Sequence, residues 1–208
     1  MRILLFIITC LFFQHTFADK TILVLGDSLS AGYGIKVEES WPALLQNKLD
    51  ENKLEYKVHN ASISGQTSFE GLRQIDQLLA LTKPSIVILE LGANDGLRGL
   101  SIIQMQQNLQ SMISKSQMAN AKVLLVGIRV PNNYGKRFGR MFTAAFDQLA
   151  KDNNLAYVPF LLAPLEQVIN SENRGEYIQQ DGLHPTAKAQ PLLMEHVWGE
   201  LGKIINSY

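Results

Sequence analysis

Short unbroken apolar runs alternate along this chain with longer stretches whose apolar residues return every three or four positions. The first pattern predicts strands covered on both faces; the second predicts amphipathic helices. The expected strands are residues 21–25, 56–60, 85–91, 122–128 and 155–159, with Ile86-Val87-Ile88-Leu89 the clearest. Trp41, Leu44, Leu45 and Leu49 define a first helix, with Ser40 as its expected N-cap and Pro42 in its first turn. Leu72, Ile75, Leu78, Leu79 and Leu81 define a second helix, and residues 102–118 and 138–150 two more. Further helices are expected near 165–170 and from about 190 to 205, whereas 29–36, with Gly32 and Gly34, reads as a loop. Strand and helix alternate throughout. That order implies an α/β fold built on a parallel sheet, with right-handed crossovers and helices on both faces.

Composition narrows the picture. A chain of 208 residues, 46% apolar and 18% charged, suits one globular domain, expected to span 19–208. Lys plus Arg and Asp plus Glu number 19 each, with no basic run, so nucleic acid is not an expected partner. Residues 1–18 stand apart: a basic start at Met1-Arg2, an apolar run from Ile3 to Phe13, and small residues in Thr16-Phe17-Ala18. This is the pattern of a secretory signal peptide cut after Ala18, and its apolar run is shorter than a membrane span requires. Cleavage would remove Cys10, the only cysteine, and Arg2, leaving 18 basic against 19 acidic residues. The expected product is an exported protein with no disulfide and no stable membrane anchor.

In such a sheet the loops that follow the strands open on one edge, where α/β proteins place their chemistry. Polar clusters at Ser28, Gly65 and Asn94, and at Asp181 with His184, are expected to converge there. Each suits a part in acyl transfer. The Ser28 hydroxyl can attack a carbonyl once a base takes its proton, and a histidine such as His184 is the usual base. Asp181, three residues earlier, can fix the imidazole tautomer. The N–H groups of Ser28 and Gly65 and the Asn94 amide can serve a developing oxyanion, each donor typically worth about 100- to 1000-fold in rate. Plainer readings stand beside these. Asp27 and Ser28 could turn the chain or cap a helix, Asn94-Asp95-Gly96 could be a cap, and Asp181-Gly182 a turn. His59 in a strand and His196 in a helix compete for the base, and Asp27 competes with Asp181, although its adjacency to Ser28 makes it a poor partner for the same histidine. A nucleotide or flavin module on this fold lacks support, since the first loop has no Gly-x-Gly-x-x-Gly and the second strand ends Val58-His59-Asn60 with no acid for a ribose. Ser30 also replaces the second glycine of a Gly-x-Ser-x-Gly elbow.

Gly26-Asp27-Ser28-Leu29-Ser30, Gly65, Gly92-Ala93-Asn94-Asp95 and Asp181-Gly182-Leu183-His184 fall in the order of the four blocks of the SGNH (GDSL) hydrolases, which this chain resembles. Ser28-Leu29-Ser30-Ala31-Gly32-Tyr33, Trp41-Pro42-Ala43-Leu44-Leu45, Asn60-Ala61-Ser62-Ile63-Ser64-Gly65, Glu90 through Gly99 and Ala189-Gln190-Pro191 make it resemble the bacterial periplasmic thioesterase and lysophospholipase (arylesterase) type in particular. The resemblance implies a flavodoxin-like three-layer sandwich with strand order 2-1-3-4-5 and no metal or cofactor. It implies Ser28 as nucleophile, His184 as base, Asp181 as its orienter, and Ser28, Gly65 and Asn94 as the oxyanion hole. It also places Val130 and Pro131, as substrate-binding residues, in a loop beside the acyl groove. The implied substrates are acyl esters, acyl thioesters and lysophospholipids, met by a monomer in the periplasm; an esterase of acetylated sugars with the same machinery is the alternative. Gln66, Ala93 and Val130 depart from the usual Asp, Gly and Leu of the type, which bears on acyl-length preference.

Overall fold

The computed structural model describes residues 20–170 and 172–206; the expected signal peptide, with Cys10, lies outside them. Five strands form one sheet: β1 (Lys20–Gly26), β2 (Tyr56–Asn60), β3 (Ile86–Glu90), β4 (Lys122–Val126) and β5 (Ala156–Val158). Their order is β2-β1-β3-β4-β5 and every pair is parallel, as the alternation of elements required. β1 and β3 run side by side in the middle, with Ile22, Leu23 and Val24 level with Ile86, Val87 and Ile88. All six side chains are buried, which is why both strands read as continuous apolar runs.

Two groups of helices cover the sheet. α2 (Trp41–Glu51) packs on α9 (Gln190–Ile205), and α3 (Ser68–Thr82) packs on α5 (Ile102–Met118), which touches α6 (Lys136–Asp152). With right-handed crossovers in this strand order, the first group covers one face and the second the other. Trp41, Leu45 and Leu49 on one side and Phe142 and Phe146 on the other are wholly or almost wholly buried. Each such side chain contributes roughly 1.5–3 kcal/mol by leaving water. Gln190 Oε1 accepts the Trp41 N–H at 3.0 Å, pinning the start of α2 to the start of α9.

The departures from expectation fall at strand and helix ends. The loop expected at 29–36 opens with a single helical turn, α1 (Ser28–Ala31), because Asp27 caps it: its Oδ1 accepts the Leu29 N–H at 3.1 Å. β3 stops at Glu90 and β4 at Val126, each short of the apolar run, where the chain leaves the sheet for the loops beyond. Two further short helices that periodicity could not register are α4 (Ala93–Leu97) and α8 (Arg174–Tyr177). The helix expected at 165–170 is α7 (Ala163–Val168). Ser40 does precede α2, but its hydroxyl donates backwards to the Val37 carbonyl at 2.6 Å and makes no side-chain cap. α3 carries the full capping box instead, Thr67 and Glu70 satisfying each other's backbone N–H groups.

Candidate active site

The end of β1 and the loop before α9 meet above the sheet. Ser28 is the first residue of α1, so its side chain stands just past the carboxyl end of a central strand. Asp181, Gly182, Leu183 and His184 form a tight turn held by a bridge between Ile178 and Pro185 and by the Gln179 N–H donating to the His184 carbonyl at 2.8 Å. Asp181 Oδ1 accepts the N–H groups of Leu183 and His184 at 2.9 and 3.0 Å. Gly182, at φ +74°, supplies the left-handed step that the turn needs. The other carboxylate oxygen, Oδ2, lies 2.6 Å from His184 Nδ1, and His184 Nε2 lies 2.8 Å from Ser28 Oγ. A carboxylate only accepts, so the hydrogen sits on Nδ1 and Nε2 offers its lone pair to the serine hydroxyl. The two backbone N–H bonds, His184's first, hold the Asp181 carboxyl down to about 2, with the His184 ring adding to them.

The residues expected to serve an oxyanion adjoin this relay, since Asn94 bonds to Asp27, next to Ser28, and to Gln66, next to Gly65. The N–H groups of Ser28 and Gly65 meet no acceptor among the described residues. Gly65 takes φ +82°, and its carbonyl accepts from Arg98 Nη2 at 2.7 Å. A Cβ there would have space, so the backbone conformation is what calls for glycine. Asn94 Nδ2 donates to Asp27 Oδ2 at 3.2 Å and to the Gln66 carbonyl at 3.0 Å. Asp95, the neighbour of Asn94, is buried and faces away: its carboxylate takes the Ser68 hydroxyl and N–H, fastening α4 to α3.

The structure thus brings Ser28, Gly65, Asn94, Asp181 and His184 together and leaves the competitors out. His196 Nε2 lies 3.1 Å from the Phe160 carbonyl, and His59 is exposed on β2. Asp27 contacts Asn94 and not the histidine ring. Val130 and Pro131 line a cleft of about 640 Å³ between the loop after β4 and the side of α6, together with Arg129, Lys136 and Arg140. None of the residues bonded around Ser28 lines that cleft. Val130 nevertheless touches α4: a Cβ on Gly96, two residues from Asn94, would lie 2.4 Å from Val130 Cγ1.

Sequence reasoning missed two participants. The Tyr33 ring lies on the His184 imidazole, centroids 4.4 Å apart, and Gln179 bonds across to the Tyr33 carbonyl. Tyr33 ends the Ser28–Tyr33 stretch of the resemblance, but no spacing there assigns it to the histidine, and Gln179 sits in no pattern at all. A third, Glu90, did leave a signal: an acid inside a run expected to be covered on both faces.

The sequence pattern of the GDSL-like Lipase/Acylhydrolase family matches residues 24–191, a span holding all five convergent residues. The chain is 45% identical over 188 residues to Esterase TesA of Pseudomonas aeruginosa, 90% of each chain being covered. It is 40% identical over 189 residues to Thioesterase 1/protease 1/lysophospholipase L1 of Escherichia coli, 91% of this chain and 86% of that one. The crystal structure of the psychrotrophic esterase EstA from Pseudoalteromonas sp., inhibited by monoethylphosphonate, matches with a TM-score of 0.83 at 44% identity, over 90% of this chain and 100% of that one. With relatives this similar along nine-tenths of its length, the chain belongs to the GDSL-like lipase/acylhydrolase family, the SGNH hydrolases.

Proposed function

We propose that this chain hydrolyses carboxylic esters and thioesters, lysophospholipids among them, through a covalent acyl-Ser28. The observation that carries the reading is the unbroken relay from Asp181 Oδ2 to His184 to Ser28 Oγ, at 2.6 and 2.8 Å. His184 Nε2 takes the Ser28 proton as Oγ attacks the acyl carbonyl, and Asp181 steadies the imidazolium that results. The carbonyl oxygen, now anionic, turns toward the Ser28 and Gly65 N–H groups and the Asn94 amide. Collapse expels the alkoxide or thiolate, which receives the proton from His184. Water, activated by the same nitrogen, then attacks the acyl-Ser28 and releases the acid. The relatives' names, esterase and thioesterase/lysophospholipase, support this range of leaving groups.

The test is an acyl-length series of p-nitrophenyl esters and acyl-CoA thioesters, with acetylated sugars alongside. Wild type is expected to turn over the esters and thioesters in preference to the sugars, and Ser28→Ala to lose both turnover and labelling by a serine-directed phosphonate. A fully labelled Ser28→Ala protein would sink the assignment. We further propose export to the periplasm as a monomer, supported by the leader-like residues 1–18 and by a site whose parts all come from one chain. Cell fractionation and the mass of the purified protein in solution check these two points.

A further inference from the structure

Beneath the site lie two carboxyl groups that the relay does not use. Asp27 and Glu90 are both fully buried. Glu90 Oε2 accepts the Ser30 hydroxyl at 2.6 Å and the Asp27 N–H at 3.3 Å, while Oε1 meets no partner among the described residues. The acid fits there because residue 26 is glycine: a Cβ on Gly26 would lie 2.6 Å from Glu90 Oε2. Burial, and then the charge of Asp27, holds Glu90 well above the usual carboxylate range, and burial pushes Asp27 up to about 6. The proton rests on Glu90, where an unpartnered oxygen costs far less on a neutral acid than on an anion. Asp27 is left as a carboxylate, a pure acceptor.

That acceptor faces Asn94. The amide nitrogen has two hydrogens, and in this structure Asp27 Oδ2 and the Gln66 carbonyl take both. Both partners only accept, so a flipped amide would set oxygen against oxygen. The neighbours therefore fix which end of Asn94 points into the site. An oxyanion arriving there must displace one of the two acceptors. The bond to a carboxylate is the stronger, being charge-assisted. We propose that Asp27 is a positioning residue of the reaction: it keeps its bond to Asn94 Nδ2 and so holds the amide in place, while the Gln66 carbonyl yields its hydrogen to the oxyanion.

This inference rests on Asn94 being an oxyanion donor, and the experiment separates the two ideas. Asp27→Asn keeps the shape and can still cap α1 through its oxygen, but then presents an NH₂ to the NH₂ of Asn94. On p-nitrophenyl decanoate it is expected to lower kcat by about 100-fold, as for a lost oxyanion donor, with KM unchanged. In an Asn94→Ala background the same change is expected to cost nothing more. If Asn94→Ala alone leaves kcat intact, the donor reading fails. If Asn94→Ala lowers kcat and Asp27→Asn does not, or if the two losses multiply, the positioning proposal fails alone. The wild-type protein gives a second readout that needs no folded variant, a crystal structure of its phosphonate adduct. Asn94 Nδ2 bonded to both the phosphonyl oxygen and Asp27 supports the proposal; a bond kept to Gln66 and broken to Asp27 overturns it.

Discussion

Gln179 Nε2 donates to the Tyr33 carbonyl at 2.8 Å and to the Pro185 carbonyl at 3.0 Å, so one side chain ties the segment after Ser28 to the segment after His184. Gln179 and Tyr33 are 146 residues apart in sequence. Gly34 lies against this clamp: a Cβ there would come 2.2 Å from Gln179 Oε1, and its φ of +73° disfavours any side chain. Gln179→Met, similar in length but unable to donate, is expected to lower kcat roughly 10- to 100-fold by loosening the Ser28–His184 distance. Gly34→Ala is expected to do the same from the other side. Steady-state kinetics beside thermal unfolding decides the matter. Activity that tracks only the folded fraction would reduce the clamp to a stability element.

Asp181 has two separable tasks, and one substitution divides them. In Asp181→Asn, the oxygen can still accept the Leu183 and His184 N–H groups and keep the turn. The amide nitrogen would then face His184 Nδ1 and drive the hydrogen to Nε2, the wrong side for a base. The expected result is a fall in kcat of up to about 10⁴-fold in a folded protein. Because Asp181 is held down to about 2 in the folded chain, from an ordinary 3.8, its stabilising bonds are fully present above 3.8. They are lost as pH falls through about 2. The stability difference between wild type and Asp181→Asn should therefore shrink across that acid range in a chemical denaturation series.

The parallel sheet and the polar breaks that meet at its edge were legible in the sequence for physical reasons, whereas the strand order β2-β1-β3-β4-β5 came only with the family resemblance. A strand covered on both faces must be apolar throughout, as in Ile86–Glu90 until its last residue, and each polar break after a strand must reach the same edge. What stayed hidden depends on side chains meeting across the fold. Nothing near Gln179 in sequence says that it bonds to Tyr33. Ser40 shows the limit of local rules: its type and place suit a cap, yet its hydroxyl donates back to the Val37 carbonyl and accepts no N–H from α2. The loop of Val130 was legible as a loop; that its cleft opens toward α6 was not.

Gly96 offers a way to test what Val130 does. Its missing side chain leaves room for Val130 Cγ1, and a Cβ there would also come 2.8 Å from the Phe142 ring. Gly96→Ala is expected to cost about 1–3 kcal/mol through overpacking and to push Val130 outward. If Val130 borders the acyl chain, the ratio of kcat/KM on decanoyl and butanoyl esters shifts with it. An unchanged ratio in a protein of lowered Tm would leave Val130 as packing between α4 and α6.

Glu90 makes a prediction about stability that is independent of turnover. Below its ordinary value of 4.5, Glu90 is protonated in both folded and unfolded chains, and pH has no leverage through it. Above that point the unfolded chain releases the proton and the folded chain keeps it, so rising pH favours unfolding until the raised folded value is passed. The slope reaches about 1.4 kcal/mol per pH unit for one such group. Glu90→Gln carries no proton to lose. Its amide at the unpartnered Oε1 position adds a fixed cost, which offsets the curve without tilting it. Denaturant titrations of both proteins from mildly acidic to mildly alkaline pH should therefore show wild type losing ground steadily to Glu90→Gln. Parallel curves would mean that Glu90 keeps no extra proton in the folded protein, and that Asp27 has no neutral acid beside it.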